Sequence, residues 1–227
     1  MYDEQYYEGH RLDEDRIALW YYARVVRRLG RAGGRLLDYG CGTGHLLKRL
    51  TGAFESFGYD ASAYARSRAR LTAPEAVILE EWASLPPGSL DVVVALHTLE
   101  HLRRPHAVMP QLANLLRPGA VFLFVVPNTN SLGRRLKRAN WFGHRDPTHY
   151  SLLSQGEWVE LTRRVGLQLL WVSGDGWWDA PYLPLIPTAI QRPLFGAPAA
   201  LQLFAPIARP FLPASMGECL IVAARRV

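Results

Sequence analysis

Lysine is almost missing from this chain: Lys48 and Lys137 stand alone among 26 basic residues, so the other 24 are arginine. The bland reading of that bias is codon usage; the sharper one is attraction to phosphates or an anionic membrane surface. The densest basic cluster, Arg134, Arg135, Lys137 and Arg138, has no interleaved aromatic platform, which argues against nucleic acid as a partner. Cysteine is equally scarce. Cys41 and Cys219 lie far apart with no spacing signature, so a reducing cytoplasm is the simple reading, with one Cys41–Cys219 bridge left open. Long apolar runs are also missing. The longest, Ala120 to Val126, is far too short to span a bilayer. The opening MYDEQYYEGH is acidic and aromatic, the wrong chemistry for a signal peptide, and no internal repeat is present.

What is present is a chain of 227 residues that is 49% apolar, enough for one domain with a real core and some elaboration. Helical spacing runs from Asp13 to Leu29 through Ile17, Trp20, Tyr21, Val25 and Leu29, and stops at Gly30. An alternation of strand and helix follows. Strands are expected at 35–39, 54–59, 76–79, 91–95, 120–126, 167–172 and 218–224, and helices at 44–50, 62–71, 105–116 and 155–165. Arg117-Pro118-Gly119 reads as a helix stop and turn. The pattern predicts an α/β fold whose mostly parallel sheet is covered on both faces and binds ligands beyond the carboxyl ends of its strands. Residues 180–215 break it: they hold eight of the 16 prolines and only two charges, Arg192 and Arg209, which argues against one long helix. The segment reads as a cover or self-association surface, or as a lid or membrane-dipping element over a greasy substrate, with Trp177, Trp178 and Tyr182 at its entrance.

The most informative stretch is LLDYGCGTGHLL, residues 36–47. A strand ending in Asp38 runs into glycines at 40, 42 and 44 and then into a helix. Bare backbone at such a turn lets a nucleoside-type ligand approach where a Cβ would block it. The nicotinamide fingerprint G-x-G-x-x-G differs from this G-C-G-T-G. The second strand ends in Asp60, 22 residues after Asp38, where an acid accepts from both ribose hydroxyls, or simply caps a helix. Glu81 and Trp82 follow the third strand, where an adenine would lie; Glu81 also reads as a solvated surface acid.

Together LLDYGCGTG, GYDAS, SLDVVVALHTLEHLRRP and LLRPGAVFLFVVPN resemble the class I S-adenosylmethionine-dependent methyltransferases, and among them the small-molecule group that includes the ubiquinone-pathway O-methyltransferases. The resemblance covers about 35–173 and the last strand. It implies a seven-stranded Rossmann-like sheet with the last strand antiparallel, in a single methyltransferase domain over 1–227. That domain divides into an N-terminal helical cap (1–33), a cofactor core (34–173), a Pro-rich apolar insertion (174–216) and a last strand (217–227). S-adenosyl-L-methionine is the implied cofactor and S-adenosyl-L-homocysteine its product. Asp38, Gly40, Cys41, Gly42 and Gly44 are implied to line its methionine end, Asp60 and Ala61 its ribose, Glu81 and Trp82 its adenine, and Leu96 with His97 to flank the transferable methyl.

Histidines supply the candidate chemistry. His97, Glu100 and His101 spell H-x-x-E-H, which also matches an inverted zinc-protease motif. That motif belongs on a helix, and here it follows a buried strand, so no metal is expected; similar methyltransferases carry a comparable block with no metal implied. WFGHRDPTHYS places His144, Asp146, His149 and Tyr150 in a loop after the fifth strand, suited to substrate binding or proton removal, or else an Asp-Pro turn with incidental side chains. His149 is the first candidate base and His97 the second; His144, Tyr150 and Tyr7 are candidate substrate contacts. Tyr6, Tyr7, Trp20 and Tyr21 close over an acceptor or serve as packing. The expected activity is methylation of a small, fairly hydrophobic hydroxyl compound by a cytoplasmic monomer or homodimer, with peripheral membrane contact through 180–215. The rivals are an RNA methyltransferase, a non-catalytic cofactor-binding scaffold and a nicotinamide oxidoreductase.

Overall fold

A computed structural model describes residues 15–205 and 209–227. A helix at the start, α1 (Ala18–Leu29), leads into β1 (Arg35–Tyr39), α2 (His45–Leu50), β2 (Glu55–Tyr59), α3 (Ala63–Thr72), β3 (Val77–Ile78) and β4 (Leu90–Leu96). Then come α4 (Pro105–Leu115), β5 (Leu116–Pro127), α5 (Leu132–Lys137), α6 (Phe142–Arg145), α7 (Gln155–Arg164), β6 (Leu167–Gly174), α8 (Thr188–Phe204) and β7 (Cys219–Arg226). The strands form one seven-stranded sheet in the order β3-β2-β1-β4-β5-β7-β6, mostly parallel with β7 antiparallel, as expected.

The chain packs as two compact units. Among the described residues, one comprises 15–96, 110–123 and 225–227; the other comprises 97–109, 124–205 and 209–224. In the first, β1 lies parallel between β2 and β4, with Leu37 opposite Phe57 and Val93, and Asp38 opposite Gly58 and Val94. Near-continuous apolar strands are what a sheet buried on both faces requires, and Leu36, Leu37 and Val92 to Val94 are fully buried. Leu47 and Leu50 of α2, and Val25 and Val26 of α1, complete this core. In the second unit Phe124, Trp141, Trp158 and Ile221 are the large buried side chains.

Several boundaries differ from expectation. The inward face of α1 is Tyr21, Tyr22, Val25 and Val26, whereas Ile17 and Trp20 are exposed. Trp20 instead covers the Arg49 guanidinium, 3.9 Å from its ring centre. The edge strand β3 is only two residues long, and extended structure begins at Leu116, so Pro118 and Gly119 lie within β5 and not in a turn. The two proline-bearing turns of α8 run through Pro193 and Pro198. The residues four positions before these prolines, Ala189 and Leu194, whose carbonyls lose a helical donor, are both exposed. Cys41 and Cys219 are buried and unbridged. Tyr6 and Tyr7 fall outside the described residues.

Candidate functional site

The glycine turn belongs to the first unit. Gly40, Gly42 and Gly44 adopt φ of +82°, +52° and +88°, a left-handed geometry that L side chains resist. A Cβ on Gly44 would stand 2.9 Å from the Ala69 Cα, so α3 seals that corner to any other residue. Gly40 and Cys41 both donate their amides to the Tyr59 carbonyl, at 2.7 and 2.9 Å. The Asp60 carboxylate ties two loops together: one oxygen accepts from the Gly42 amide and the other from the Ser62 amide, both at 2.9 Å. Asp60 is therefore not the cap of α3; Ser62 fills that role by accepting from the Ala65 amide.

Asp38 is 2% exposed, and burial, reinforced by the charge of Asp60, pushes its pKa up to about 7. Two buried acids side by side favour a ligand that carries positive charge. Cys41 is buried between this pair and Gly58, and its thiol is raised by burial and then by the Asp38 charge. Ala61 is exposed, and Leu96 is half-buried at the end of β4.

At the end of β3 the neighbouring acids differ. Glu80 pairs with Arg66 (2.7 Å) and Arg70 (2.5 Å), which hold its carboxyl below the usual range. Glu81 is exposed and starts the short 3₁₀ turn Trp82–Ser84. Trp82 stands edge-on to Tyr39, 5.4 Å between ring centres, and Tyr39 stacks on Tyr59 at 5.6 Å. Arg66 also donates to the Asp60 carbonyl at 2.7 Å, so the β2 and β3 ends are clamped by a residue that sequence reasoning passed over. A basic residue on the first turns of α3 was the available signal.

The candidate histidines, His97, His101, His144 and His149, belong to the second unit. His97 holds φ of +53°, rare for a residue with a side chain, and its amide donates to the Val125 carbonyl. Its imidazole is one-third exposed, with Nδ1 3.5 Å from the Glu100 carboxylate. Asp175, half-buried and raised to about 7 by desolvation, accepts from the Cys219 amide at 2.8 Å.

The Leu99–His101 turn and the loop before α7 come together. His101 Nδ1 lies 2.9 Å from the Thr148 hydroxyl and 3.2 Å from its carbonyl. Thr148 gives its hydroxyl proton to Asp146 (2.6 Å), so its oxygen accepts from His101. His149 Nδ1 donates to the Gly143 carbonyl at 2.8 Å, and its ring centre is 4.8 Å from that of His101. Burial, and then the neighbouring His149, lower the pKa of His101. Burial works to raise Asp146, but the Thr148 hydroxyl and amide outweigh it and leave that acid low.

His149 thus sits with Glu100, His101 and Asp146, away from the other candidates on its loop. His144 is exposed and edge-on to Trp141 at 5.1 Å. Tyr150 is exposed beneath the Arg103 guanidinium, 4.0 Å from its ring centre. Tyr7 lies outside the described residues.

Comparison with known proteins adds the family. A family model described as "Methyltransferase domain" matches residues 12–172. The ubiquinone biosynthesis O-methyltransferase of Thiobacillus denitrificans is 35% identical over 116 residues, 47% of this chain and 50% of that protein. The enzyme of the same name from Xanthomonas euvesicatoria is 31% identical over 173 residues, 66% of this chain and 69% of the relative. The chain thus spans about half the length of the first relative and about two thirds of the second. The crystal structure of a SAM-dependent methyltransferase from Archaeoglobus fulgidus superposes with a TM-score of 0.64 at 17% identity, covering 99% of this chain and all of that one, a likeness of fold.

Proposed function

The chain belongs to the methyltransferase-domain family, and from that premise we propose that it moves a methyl group from S-adenosyl-L-methionine to a hydroxyl of a small, fairly hydrophobic acceptor. The observation that carries this reading is the pair Asp38 and Asp60, 2% and 8% exposed, at the mouth of a left-handed glycine turn. A ligand bearing a sulfonium charge, an ammonium group and two ribose hydroxyls supplies the cation and the donors that such a pair favours. Bound there, S-adenosyl-L-methionine supplies an electrophilic methyl group and is left as S-adenosyl-L-homocysteine.

The chain's own residues hold, orient and deprotonate. Asp38 and Asp60 neutralise and position the methionine and ribose ends, with Gly40, Cys41, Gly42, Gly44 and Ala61 as the surrounding backbone. Glu81 and Trp82 are assigned to the adenine, and Leu96 to the apolar wall that follows β4. Alignment and exclusion of water supply most of the acceleration in such a displacement. His97 is our candidate to take the acceptor's proton, ahead of His149. It offers a one-third exposed imidazole near two acids, the buried Glu100 and the half-buried Asp175, whose charges stabilise the imidazolium once formed. His149 is only 8% exposed at its side chain. The name shared by the curated relatives supports oxygen as the accepting atom.

On α8 the exposed residues Ile190, Leu194, Leu201 and Phe204 share a helix whose single charge is Arg192, which supports an acceptor that partitions into lipid. No helix of the described residues is long and apolar enough to cross a membrane. Calorimetry with the donor and its demethylated product, followed by transfer of a radiolabelled methyl to a panel of phenols, tests the reading. His97→Ala is expected to lower kcat by about 100-fold or more with the donor's Kd unchanged. An unchanged kcat removes His97 as the base, and failure of the folded protein to take up either cofactor form removes the reading.

A further inference from the structure

Glu100, His101 and His149 each hold one donor atom within 4.8 Å of the other two. Glu100 is 0% exposed, and among the described residues neither of its carboxylate oxygens has a hydrogen-bond donor. A buried carboxylate in that condition calls for a cation. Among the described residues, the cationic candidate beside it, His97 Nδ1, stands off at 3.5 Å. We propose that Glu100, His101 and His149 bind a divalent transition-metal ion of the zinc class.

The donor chemistry selects the metal. Two imidazoles and one carboxylate suit zinc, cobalt or their neighbours, whereas magnesium and calcium prefer oxygen throughout. The surroundings have the form that orients metal ligands. His149 gives its Nδ1 proton to the Gly143 carbonyl, which leaves Nε2 as the nitrogen with a lone pair to offer a metal. His101 is held through Nδ1 by Thr148, and Thr148 is held by Asp146. Three protein ligands leave a fourth position for water or another oxygen ligand. The expectation of no metal rested on the H-x-x-E-H block following a strand. The block needs no helix of its own, because Leu99–His101 forms a 3₁₀ turn and the third ligand arrives from the loop before α7. The same geometry allows one rival: protonated imidazoles paired with Glu100 and Asp146, whose Oδ2 is 3.8 Å from His149 Nε2.

The test uses the full chain, stripped with chelator and titrated with Zn²⁺ by calorimetry and with Co²⁺ by visible absorption. The expected result is one equivalent of either metal, a tetrahedral or five-coordinate cobalt spectrum without a thiolate band, and a rise in Tm on adding Zn²⁺. Glu100→Gln and His149→Asn, each checked by circular dichroism, should lose the equivalent and the Tm rise. Thr148→Val should weaken zinc about 10- to 100-fold, as loss of an orienting partner does. A wild-type chain that takes up no more metal than Glu100→Gln, or no more than His149→Asn should the first variant misfold, overturns the site in favour of the ion pairs. Cofactor affinity is measured on the same samples. Loss of metal with cofactor uptake intact sinks only this proposal, and loss of cofactor uptake alone sinks only the methyl-transfer reading.

Discussion

At the scale of single residues, Asp38 ties pH to ligand affinity. Its pKa is pushed up to about 7 by burial and by Asp60, so its negative charge is present above pH 7 and lost below it. A cationic ligand binds the ionised form. Affinity for the sulfonium donor should therefore fall about tenfold from pH 8 to pH 6, following the ionised fraction. The demethylated product, which lacks the sulfonium, should show a shallower slope, and Asp38→Asn should flatten both. Calorimetry across that range checks it, and equal slopes for donor and product would show that Asp38 does not sense the sulfur. The acids that carry this prediction were legible in the sequence, because a strand, an acid and alternating glycines have few other uses side by side. Glu100 was legible only as a letter in a motif. Its burial and its approach to His149 depend on a loop 49 residues further on, and no local pattern reports that. Asp60 was placed correctly but half understood, since its two backbone bonds are visible only once both loops are in space.

At the scale of elements, α8 is where local rules mislead. Two prolines inside a helix argue against it, and tertiary bonds override them. Gln191, fully buried, accepts from the Tyr182 and Leu183 amides and donates to the Leu183 and Ile186 carbonyls. Gln202 accepts from the Phe211 and Leu212 amides and donates to the Gly174 carbonyl. Each amide side chain is a pin between the helix and irregular backbone. Gln202→Leu should lower stability by about 2–4 kcal/mol in chemical denaturation, because it leaves buried backbone groups without partners. A loss below about 0.5 kcal/mol would show that water reaches those groups. The parallel strands β1, β2 and β4, by contrast, were legible to within a residue. Val92, Val93 and Val94 are buried on both faces, so their apolar run and their position agree. β3 was overestimated because an edge strand gains from only one neighbour, and Val77 is 53% exposed.

At the scale of the whole molecule, the chain crosses between its two compact units at Leu96–His97, Met109–Pro110, Leu123–Phe124 and Ala224–Arg225. The glycine turn and Asp38 fall in the first unit, and the histidine group in the second. No composition shift marks these crossings, one of which cuts through the middle of β5, so the division was invisible in the sequence. The two cysteines divide in the same way: Cys41 is in the first unit and Cys219 in the second, both buried, unbridged and with thiols raised well above their ordinary range by burial. Each half therefore carries its own concealed reporter, silent to alkylating reagents until that half opens. Peptide-resolved labelling at rising urea should show whether the halves open together, at one shared rate, or in succession. The molecule arrives already instrumented for dissecting its own unfolding, with no residue to change.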